Sequence, residues 1–421
     1  MGFGPISILR LNRHLTVLQE RKERMSFLMV NTKHDTASHE RRSYKREIFN
    51  INALYDAYIK AKHNSDWKPQ VQRYEMNFLT ELSRIYRAMK NRTFKFLPSI
   101  EFVLRERGRV RLITGEQIHD RIVKGCLCEE SLLPAVRKNL IYDNGASLKG
   151  KGIDFTRRRI DVHLRKYFNH TKSNDGFILL IDFKKYYDNI RHEEFVNIFK
   201  KLGIDKEAMW LLKKTIEKAR VDVSYLTDDE YAACMTEVFN SLGYQQIDKA
   251  RLTGQKFMDK HLNIGDVVAQ VAGIAYPLEF DNYIKIVRGV KYYGRYMDDS
   301  YVLHQDKAYL EQLLSELIIV SKKLGITINT KKTRISKLAS HWRFLQIQYS
   351  LTETGRIVKK INPKRLTMMR RKLKKLAPVL PEKEFENLYK SWFNSHYKIM
   401  SRLQRENMNN LYNELRRNSD A

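Results

Sequence analysis

The chain has 421 residues and a formal net charge of +30, from 78 lysines and arginines against 48 aspartates and glutamates. This length fits two or three domains, and 43% hydrophobic residues can form a core, which excludes global disorder. The three cysteines form neither a disulfide framework nor a zinc-ligand pattern, and no apolar run reaches the roughly 20 residues that span a bilayer. Arginines interrupt the apolar N-terminus, so we expect a cytoplasmic protein with no signal peptide and no membrane partner.

The N-terminal half alternates between helical and extended patterns. About the first ninety residues have helical periodicity. An arginine-bearing β-hairpin should follow, with strands at Glu101–Arg105 and Arg109–Ile113. The continuous apolar run Phe177–Phe183 is typical of a buried central strand, and we predict a helix at Glu193–Leu202 after it.

The sequence of the C-terminal half predicts further short strands. Two of them, Val290–Tyr296 and Tyr301–His304, should form a pair around an Asp-Asp turn. An amphipathic helix should separate this pair from strands at Ile326–Asn329 and Trp342–Leu351, and Pro363 should begin a basic helical region. The order of elements predicts an α+β fold with helices on one face of the sheet.

The positive charge is clustered. Nine lysines and arginines and no acidic residue lie between Lys359 and Lys375. Nucleic acid is the commonest polyanion of a cytoplasm, and lysine and arginine bind its phosphates through counterion release. The chain also has 23 tyrosines, whose rings can stack on unpaired bases. We therefore expect a nucleic-acid partner, and a solvated basic surface that binds acidic lipid is the alternative.

Three aspartates lie beside the apolar strands. Asp182 ends the run that begins at Phe177, and Asp298 and Asp299 occupy the predicted turn between two strands. If these strands are neighbours in one sheet, three carboxylates converge and can hold hard divalent cations. Two Mg²⁺ ions on shared carboxylates would activate a hydroxyl nucleophile in phosphoryl displacement. On spacing alone, two unrelated acidic turns remain the alternative.

At these residues the sequence resembles a bacterial reverse transcriptase. Six segments match motifs of that family in the family's order, over about residues 95–350. They are Arg105-x-x-Gly-x-x-Arg111 with Asp120-Arg-Ile-Val123, Leu180–Ile190, Ile264-Gly-Asp-Val-Val-Ala-Gln270, Tyr296-Met-Asp-Asp299, Lys331-Lys-Thr333 and Phe344-Leu-Gln-Ile347. Two departures occur, because Ala269 stands in place of serine and Gln346 in place of glycine.

The resemblance implies a right-hand polymerase with fingers, palm and thumb, an antiparallel palm sheet, and helical N- and C-terminal regions. The implied divisions are an N-terminal helical extension at 1–92, fingers at 93–180, a palm at 181–350 with a helical insert at about 193–262, and a basic helical thumb and tail at 351–421.

The resemblance also assigns catalytic and metal-binding roles. Asp182, Asp298 and Asp299 would be catalytic and would hold two Mg²⁺ ions, which Mn²⁺ could replace, with the Phe183 carbonyl as a further ligand. The Tyr187 ring would lie under the sugar of the incoming dNTP and exclude a 2′-hydroxyl. An ordinary core aromatic is the alternative for Tyr187.

Four other residues would contact the dNTP. Arg111 and Arg105 would bind the triphosphate, since a guanidinium suits phosphate, although solvated hairpin arginines are the alternative. Gln270 would lie near the nucleotide or the template. Lys332 would donate a proton to the leaving pyrophosphate, with Lys331 as the competing residue and a merely solvated pair as the alternative.

The implied function is that of an RNA-directed DNA polymerase. Its partners would be a structured, dedicated non-coding template RNA, the cDNA product and dNTPs. The absent serine at Ala269 and the long insert favour the defence-associated, antiphage group over the diversity-generating retroelement enzymes. A catalytically idle RNA-binding protein, and an enzyme of untemplated addition or RNA synthesis, are the alternatives of other kinds.

Overall fold

The computed structural model describes residues 49–106, 109–244 and 247–417. The part of the predicted N-terminal extension that falls on residues 1–48 lies outside the described residues. The chain then forms three helices, α1 (Ile51–Lys62), α2 (Pro69–Met76) and α3 (Phe78–Lys90). Their buried apolar side chains join the largest core of the molecule.

The predicted arginine-bearing hairpin is present. Strands β1 (Ile100–Glu106) and β2 (Arg109–Gly115) pair antiparallel as a separate two-stranded sheet. Helix α4 (Ile118–Leu127) follows and continues through a π-helical turn into α5 (Leu133–Arg137). Helix α6 (Ile153–Thr171) then leads to the central sheet.

The central sheet has four antiparallel strands in the order β4-β5-β3-β6. Their bounds are Phe177–Asp182 for β3, Tyr293–Tyr296 for β4, Asp299–His304 for β5 and Arg334–Lys337 for β6. The predicted antiparallel sheet in an α+β fold is thus confirmed, with the apolar run as its central strand.

Two strand predictions need correction. Asp299 is the first residue of β5 rather than part of the turn. The stretch Ile326–Asn329 forms an isolated bridge between Phe183 and Ile328 instead of a strand. The ladder stops there because the Asn329 carbonyl accepts hydrogen bonds from the amides of Lys332 and Thr333, which closes a turn before β6 begins.

The central sheet is covered on both faces, whereas the sequence predicted helices on one. Ile178 and Leu180 pack with α6 residues and with a small C-terminal sheet that includes Trp342 and Tyr349. Leu179 and Ile181 face the largest core, which includes Leu313. Successive side chains of a strand point to opposite faces, so an apolar run needs a cover on each side.

Seven α-helices lie between β3 and β6 in the described residues. The helices are α7 (His192–Lys201), α8 (Lys206–Ala219), α9 (Asp228–Thr236), α10 (Ser241–Tyr244), α11 (Val267–Ala275), α12 (Leu278–Asn282) and α13 (Lys307–Lys323). Five of them, α7, α8, α11, α12 and α13, add buried residues to the core on the second face. Within the predicted insert, a small separate cluster contains Val221, Val223, Phe239 and Met258.

The C-terminal part begins with the small C-terminal sheet, which consists of β7 (Trp342–Phe344), β8 (Ile347–Leu351) and β9 (Ile357–Ile361). Three helices follow, namely α14 (Pro363–Leu376), α15 (Glu382–His396) and α16 (Arg402–Arg417). They form a core of their own that includes Leu373, Phe385 and Met408. Among the described residues, no helix combines the length and apolarity that a bilayer crossing requires.

The predicted strand Trp342–Leu351 is a hairpin. Its two-residue turn, Leu345-Gln346, has φ values of 42° and 75°. Positive φ at both central residues is the requirement of a type I′ turn, which glycine and asparagine satisfy with little strain. The turn therefore keeps the backbone of two non-glycine residues in the left-handed region.

We predict that Gln346→Gly stabilises the protein by about 0.5–1 kcal/mol, because the strain relieved exceeds the added entropy of the unfolded chain. The midpoint of thermal denaturation should rise. Glu353→Gly is the matched control, since Glu353 is an exposed turn residue outside the positive-φ set and should lower the midpoint. A lower midpoint for Gln346→Gly would contradict the strain assigned to this turn.

Candidate active site

The register of the central sheet brings two of the predicted aspartates together. Asp182, the last residue of β3, is the cross-strand partner of Asp299, the first residue of β5. The peptide groups of Asp182 bond on the other side, where its carbonyl accepts from the Asn329 amide at 2.7 Å and its amide donates to the Thr333 hydroxyl at 3.3 Å. The pair with Asp299 is therefore of the non-hydrogen-bonded type, with α-carbons about 4.5 Å apart and side chains on one face.

Asp298 occupies the turn beside this pair. The turn between β4 and β5 consists of Met297 and Asp298, since Tyr296 pairs with Asp299. Met297 has a φ of 54°, a left-handed backbone conformation that residues other than glycine seldom adopt. This backbone strain lies directly beside the predicted carboxylates, in keeping with the strain that functional sites often carry.

The Asp182 carboxylate is held by two side chains. Lys332 Nζ lies 3.1 Å and 3.0 Å from its two oxygens, and Asn329 Nδ2 donates to Oδ2 at 2.9 Å. Lys332, rather than Lys331, is thus the lysine that contacts the predicted site. The side chain of Lys332 is half exposed, so its ammonium lies where solvent and ligands can reach the carboxylate.

Asn329 is a site residue that the sequence reasoning missed. Its amide binds the Asp182 side chain while its backbone binds the Asp182 carbonyl. A signal was available, because Asn329 ends an apolar Ile-Thr-Ile stretch three residues before Lys332, much as Asp182 ends its own apolar run.

The Phe183 carbonyl is directed away from the β6 side. Phe183 forms a bridge with Ile328 in which the hydrogen bonds are made by the flanking residues, Asp182 with Asn329 and Lys184 with Thr327. In such a pair the peptide groups of the central residue point to the opposite edge. That edge is the one on which Asp298 and Asp299 lie.

Tyr187 lies against the Met297 turn and helix α11. Its hydroxyl is 3.6 Å from Met297 Sδ, and a β-carbon placed on Gly273 would lie 2.7 Å from the hydroxyl oxygen. Burial, and next the negative charge of Asp298, raise the pKa of Tyr187. The neighbouring Tyr186 is buried in the core.

Gln270 lies on the same helix, one turn before Gly273. Residues three apart lie on one helix face, so Gln270 projects on the side of α11 that meets Tyr187. Its side chain is exposed, whereas Ala269 is buried in the core. A serine hydroxyl at position 269 would need a hydrogen-bond partner inside that core, which alanine does not.

The β1–β2 hairpin does not bring Arg105 and Arg111 to one face. Arg105 pairs with Val110 and Leu104 with Arg111, so the two arginines point to opposite faces. Arg105 is exposed and Arg111 half-buried. The Thr114 amide donates to the Ile264 carbonyl at 3.2 Å, which joins β2 to the loop that precedes α11.

The donor set fits a hard divalent cation. Asp182, Asp298, Asp299 and the Phe183 carbonyl supply oxygen ligands of the kind that Mg²⁺ prefers. Within the described ranges, no three His, Cys, Asp or Glu side chains are already gathered as a metal-ligand group. The Lys332 ammonium on Asp182 supplies a positive charge at this position.

The comparison with protein families agrees with the motifs. The family model described as reverse transcriptase (RNA-dependent DNA polymerase) matches residues 111–349, which is more than half of the chain. A solved telomerase of Candida albicans, in complex with a TWJ fragment of telomeric RNA, is similar at 10% identity and a TM-score of 0.38. The match covers 83% of this chain and 64% of that one, so the chain spans less than two thirds of the telomerase. No curated protein matches.

Proposed function

Because the chain belongs to the reverse transcriptase family, we propose that it is an RNA-directed DNA polymerase, a nucleotidyltransferase that extends a primer with dNTPs along an RNA template. The observation that carries the proposal is the pairing of Asp182 with Asp299, with Asp298 beside them in the turn. The same pairing argues against the catalytically idle RNA-binding alternative, because such a protein would not need three acids at one sheet edge.

The proposed reaction is attack of a primer 3′-oxygen on the α-phosphate of a dNTP, with pyrophosphate leaving in line. Reverse transcriptases use divalent metal ions, and two bound Mg²⁺ or Mn²⁺ ions would activate the 3′-oxygen and stabilise the leaving oxygen. Asp182, Asp298, Asp299 and the Phe183 carbonyl would hold them. Asn329 fixes the direction of the Asp182 carboxylate, so its oxygens need little reorganisation.

Tyr187 is proposed to select the sugar. Its ring is packed against Gly273 and Met297 and cannot retreat from the nucleotide side without displacing them. A 2′-hydroxyl on the incoming nucleotide would then meet a fixed ring rather than space. This arrangement favours DNA synthesis over RNA synthesis.

Four polar side chains are proposed to bind the rest of the dNTP. Arg111 and Arg105 would contact the triphosphate from the two faces of the hairpin, with Arg111 as the stronger candidate because β2 is attached next to α11. Gln270 would contact the nucleotide or the template from α11. Lys332 would leave Asp182 for the pyrophosphate, whose proton it would supply.

The template and primer are proposed to run along the basic surface. The domain assignment follows the predicted one, with fingers at 93–180, palm at 181–350 and thumb at 351–421. The nine basic residues from Lys359 to Lys375 lie on β9 and α14, which buries Leu366, Met369 and Leu373 and leaves most of its lysines and arginines accessible. Backbone contacts of this kind carry no sequence information, so template choice would depend on a structured RNA.

We propose a dedicated non-coding RNA as the template and antiphage defence in a bacterial cytoplasm as the setting. The buried alanine at position 269 and the insert at about 193–262, with its own apolar cluster, support this group over the diversity-generating enzymes. The diversity-generating role is the alternative, and the source of the template RNA distinguishes the two.

Removing either of two carboxylate charges should abolish synthesis. Asp182→Asn and Asp298→Asn keep the shape of the side chain, and we expect each to lower dNTP incorporation on an RNA template by at least about a hundredfold. Asp175→Asn, an exposed position just before the other end of β3, is the control and should incorporate at the wild-type rate. Wild-type incorporation by both site variants would refute the polymerase proposal.

Opening the space beside the sugar should relax nucleotide selection. For Tyr187→Ala we expect the ratio of NTP to dNTP incorporation to rise about tenfold or more, since the ring no longer meets the 2′-hydroxyl. Single-nucleotide extension assays measure the ratio. Tyr74→Phe, at a buried position on α2, should leave it unchanged, and an unchanged ratio in Tyr187→Ala would remove the proposed role.

Sequencing the RNA that co-purifies with the full chain should reveal its template. We expect one defined, structured RNA, enriched over total RNA and depleted when Lys372, Lys374 and Lys375 are changed to glutamate. A repeat-bearing RNA from beside a variable gene would assign the diversity-generating role instead. A random sample of cellular RNA would contradict a dedicated template.

A further inference from the structure

Arg295, two residues before Met297, is fully buried on β4. Its guanidinium forms a two-pronged contact with Asp281, with Nε at 2.9 Å from Oδ1 and Nη2 at 2.6 Å from Oδ2. Asp281 is also fully buried and accepts a further hydrogen bond from the Tyr293 hydroxyl. The charge of Arg295 is thus neutralised inside the core by one partner.

The remaining donors of Arg295 bind backbone carbonyls of two elements. Nη1 donates to the carbonyls of Gly273 and Met297, each at 3.1 Å, and Nη2 donates to the Ile274 carbonyl at 3.1 Å. Gly273 and Ile274 lie in the last turn of α11, where carbonyls lack helical partners. Met297 is the strained residue of the turn that carries Asp298. One planar group therefore joins the end of α11 to the Asp298 turn.

Stability alone does not account for this arrangement. Moving two charges out of water is expensive, and well-packed apolar residues often replace a buried ion pair without loss of stability. What an apolar pair cannot supply is a set of directed bonds to three carbonyls. The fork of a guanidinium supplies them, whereas a lysine ammonium lacks the same geometry.

Gly273 and Met297, two of the three residues whose carbonyls bind Arg295, also support Tyr187. A β-carbon on Gly273 would lie 2.7 Å from Tyr187 Oη and 2.8 Å from Met297 Sδ, so Gly273, Met297 and Tyr187 are in mutual contact. Any shift of the Met297 turn against α11 would change the position of the ring and of Asp298 together.

We infer that Arg295 is a positioning residue that fixes both the Asp298 carboxylate and the Tyr187 ring by holding the Met297 turn against the end of α11. The inference rests on the proposed polymerase function. It links metal binding to sugar selection through one side chain that touches neither the metal nor the nucleotide.

The test compares Arg295→Lys and Asp281→Asn with wild type. Arg295→Lys keeps the charge and loses the fork, and Asp281→Asn keeps the shape and weakens the anchor. Arg288→Lys is the control, because Arg288 pairs with Glu316 at 3.3 Å in a partly buried contact away from the turn. Three quantities are measured, namely the Mg²⁺ concentration for half-maximal incorporation, Mn²⁺ binding to the protein alone by EPR, and the NTP to dNTP ratio.

For Arg295→Lys we expect the Mg²⁺ requirement and the Mn²⁺ dissociation constant each to rise about tenfold or more, as for other groups that orient a metal ligand. The NTP to dNTP ratio should rise with them. Asp281→Asn should move all three in the same direction by less, and Arg288→Lys should move none.

Unchanged metal binding and sugar selection in Arg295→Lys, or equal changes in Arg288→Lys, would overturn the inference. Loss of the cooperative melting transition in both Arg295→Lys and Asp281→Asn would do the same, since it would assign the pair a structural role only. Failure of the function itself is distinguishable, because Asp298→Asn would then incorporate dNTPs as well as wild type does.

Discussion

The pairing of β3 with β5 is the constraint on which the site depends. A shift of one residue in this register would move Asp182 away from Asp299 and turn its side chain to the other face of the sheet. Burial on both faces prevents such a shift, because Ile178 and Leu180 fit one apolar cluster while Leu179 and Ile181 fit another. The hydrophobic core thereby determines where the carboxylates meet.

The ion pairs of Lys332 and Lys124 differ in how deeply they are buried. The half-exposed Lys332 binds Asp182 at the surface, where a ligand can compete for it. Deeper in the molecule, the buried Lys124 ammonium lies 2.6 Å from both Glu116 and Asp266. Asp266 also caps α11 by accepting from the Val268 amide at 2.9 Å. These ion pairs, which are shielded from water, thus join helix α4 to helix α11 and to the residue that follows β2.

The sequence was sufficient for features that depend on local patterns. The apolar run of β3, the arginine-bearing hairpin, the helix that begins at Pro363 and the α+β class are all present. Periodicity alone predicts a continuous strand across Leu345-Gln346, because this turn contains neither glycine nor asparagine, although both residues have positive φ. The opposite faces of Arg105 and Arg111 follow from the register of the hairpin, which spacing alone does not define. The contact between Asn329 and Asp182 depends on the turn before β6, which places the Asn329 amide on the carboxylate.

The C-terminal helices bury their apolar residues mainly against one another. Leu373, Phe385 and Met408 belong to a cluster apart from the one that contains Leu179. Regions with separate cores open and vary with their own free energies. The bundle can therefore lengthen or change its surface charge in the course of evolution without disturbing the register that brings Asp182 to Asp299.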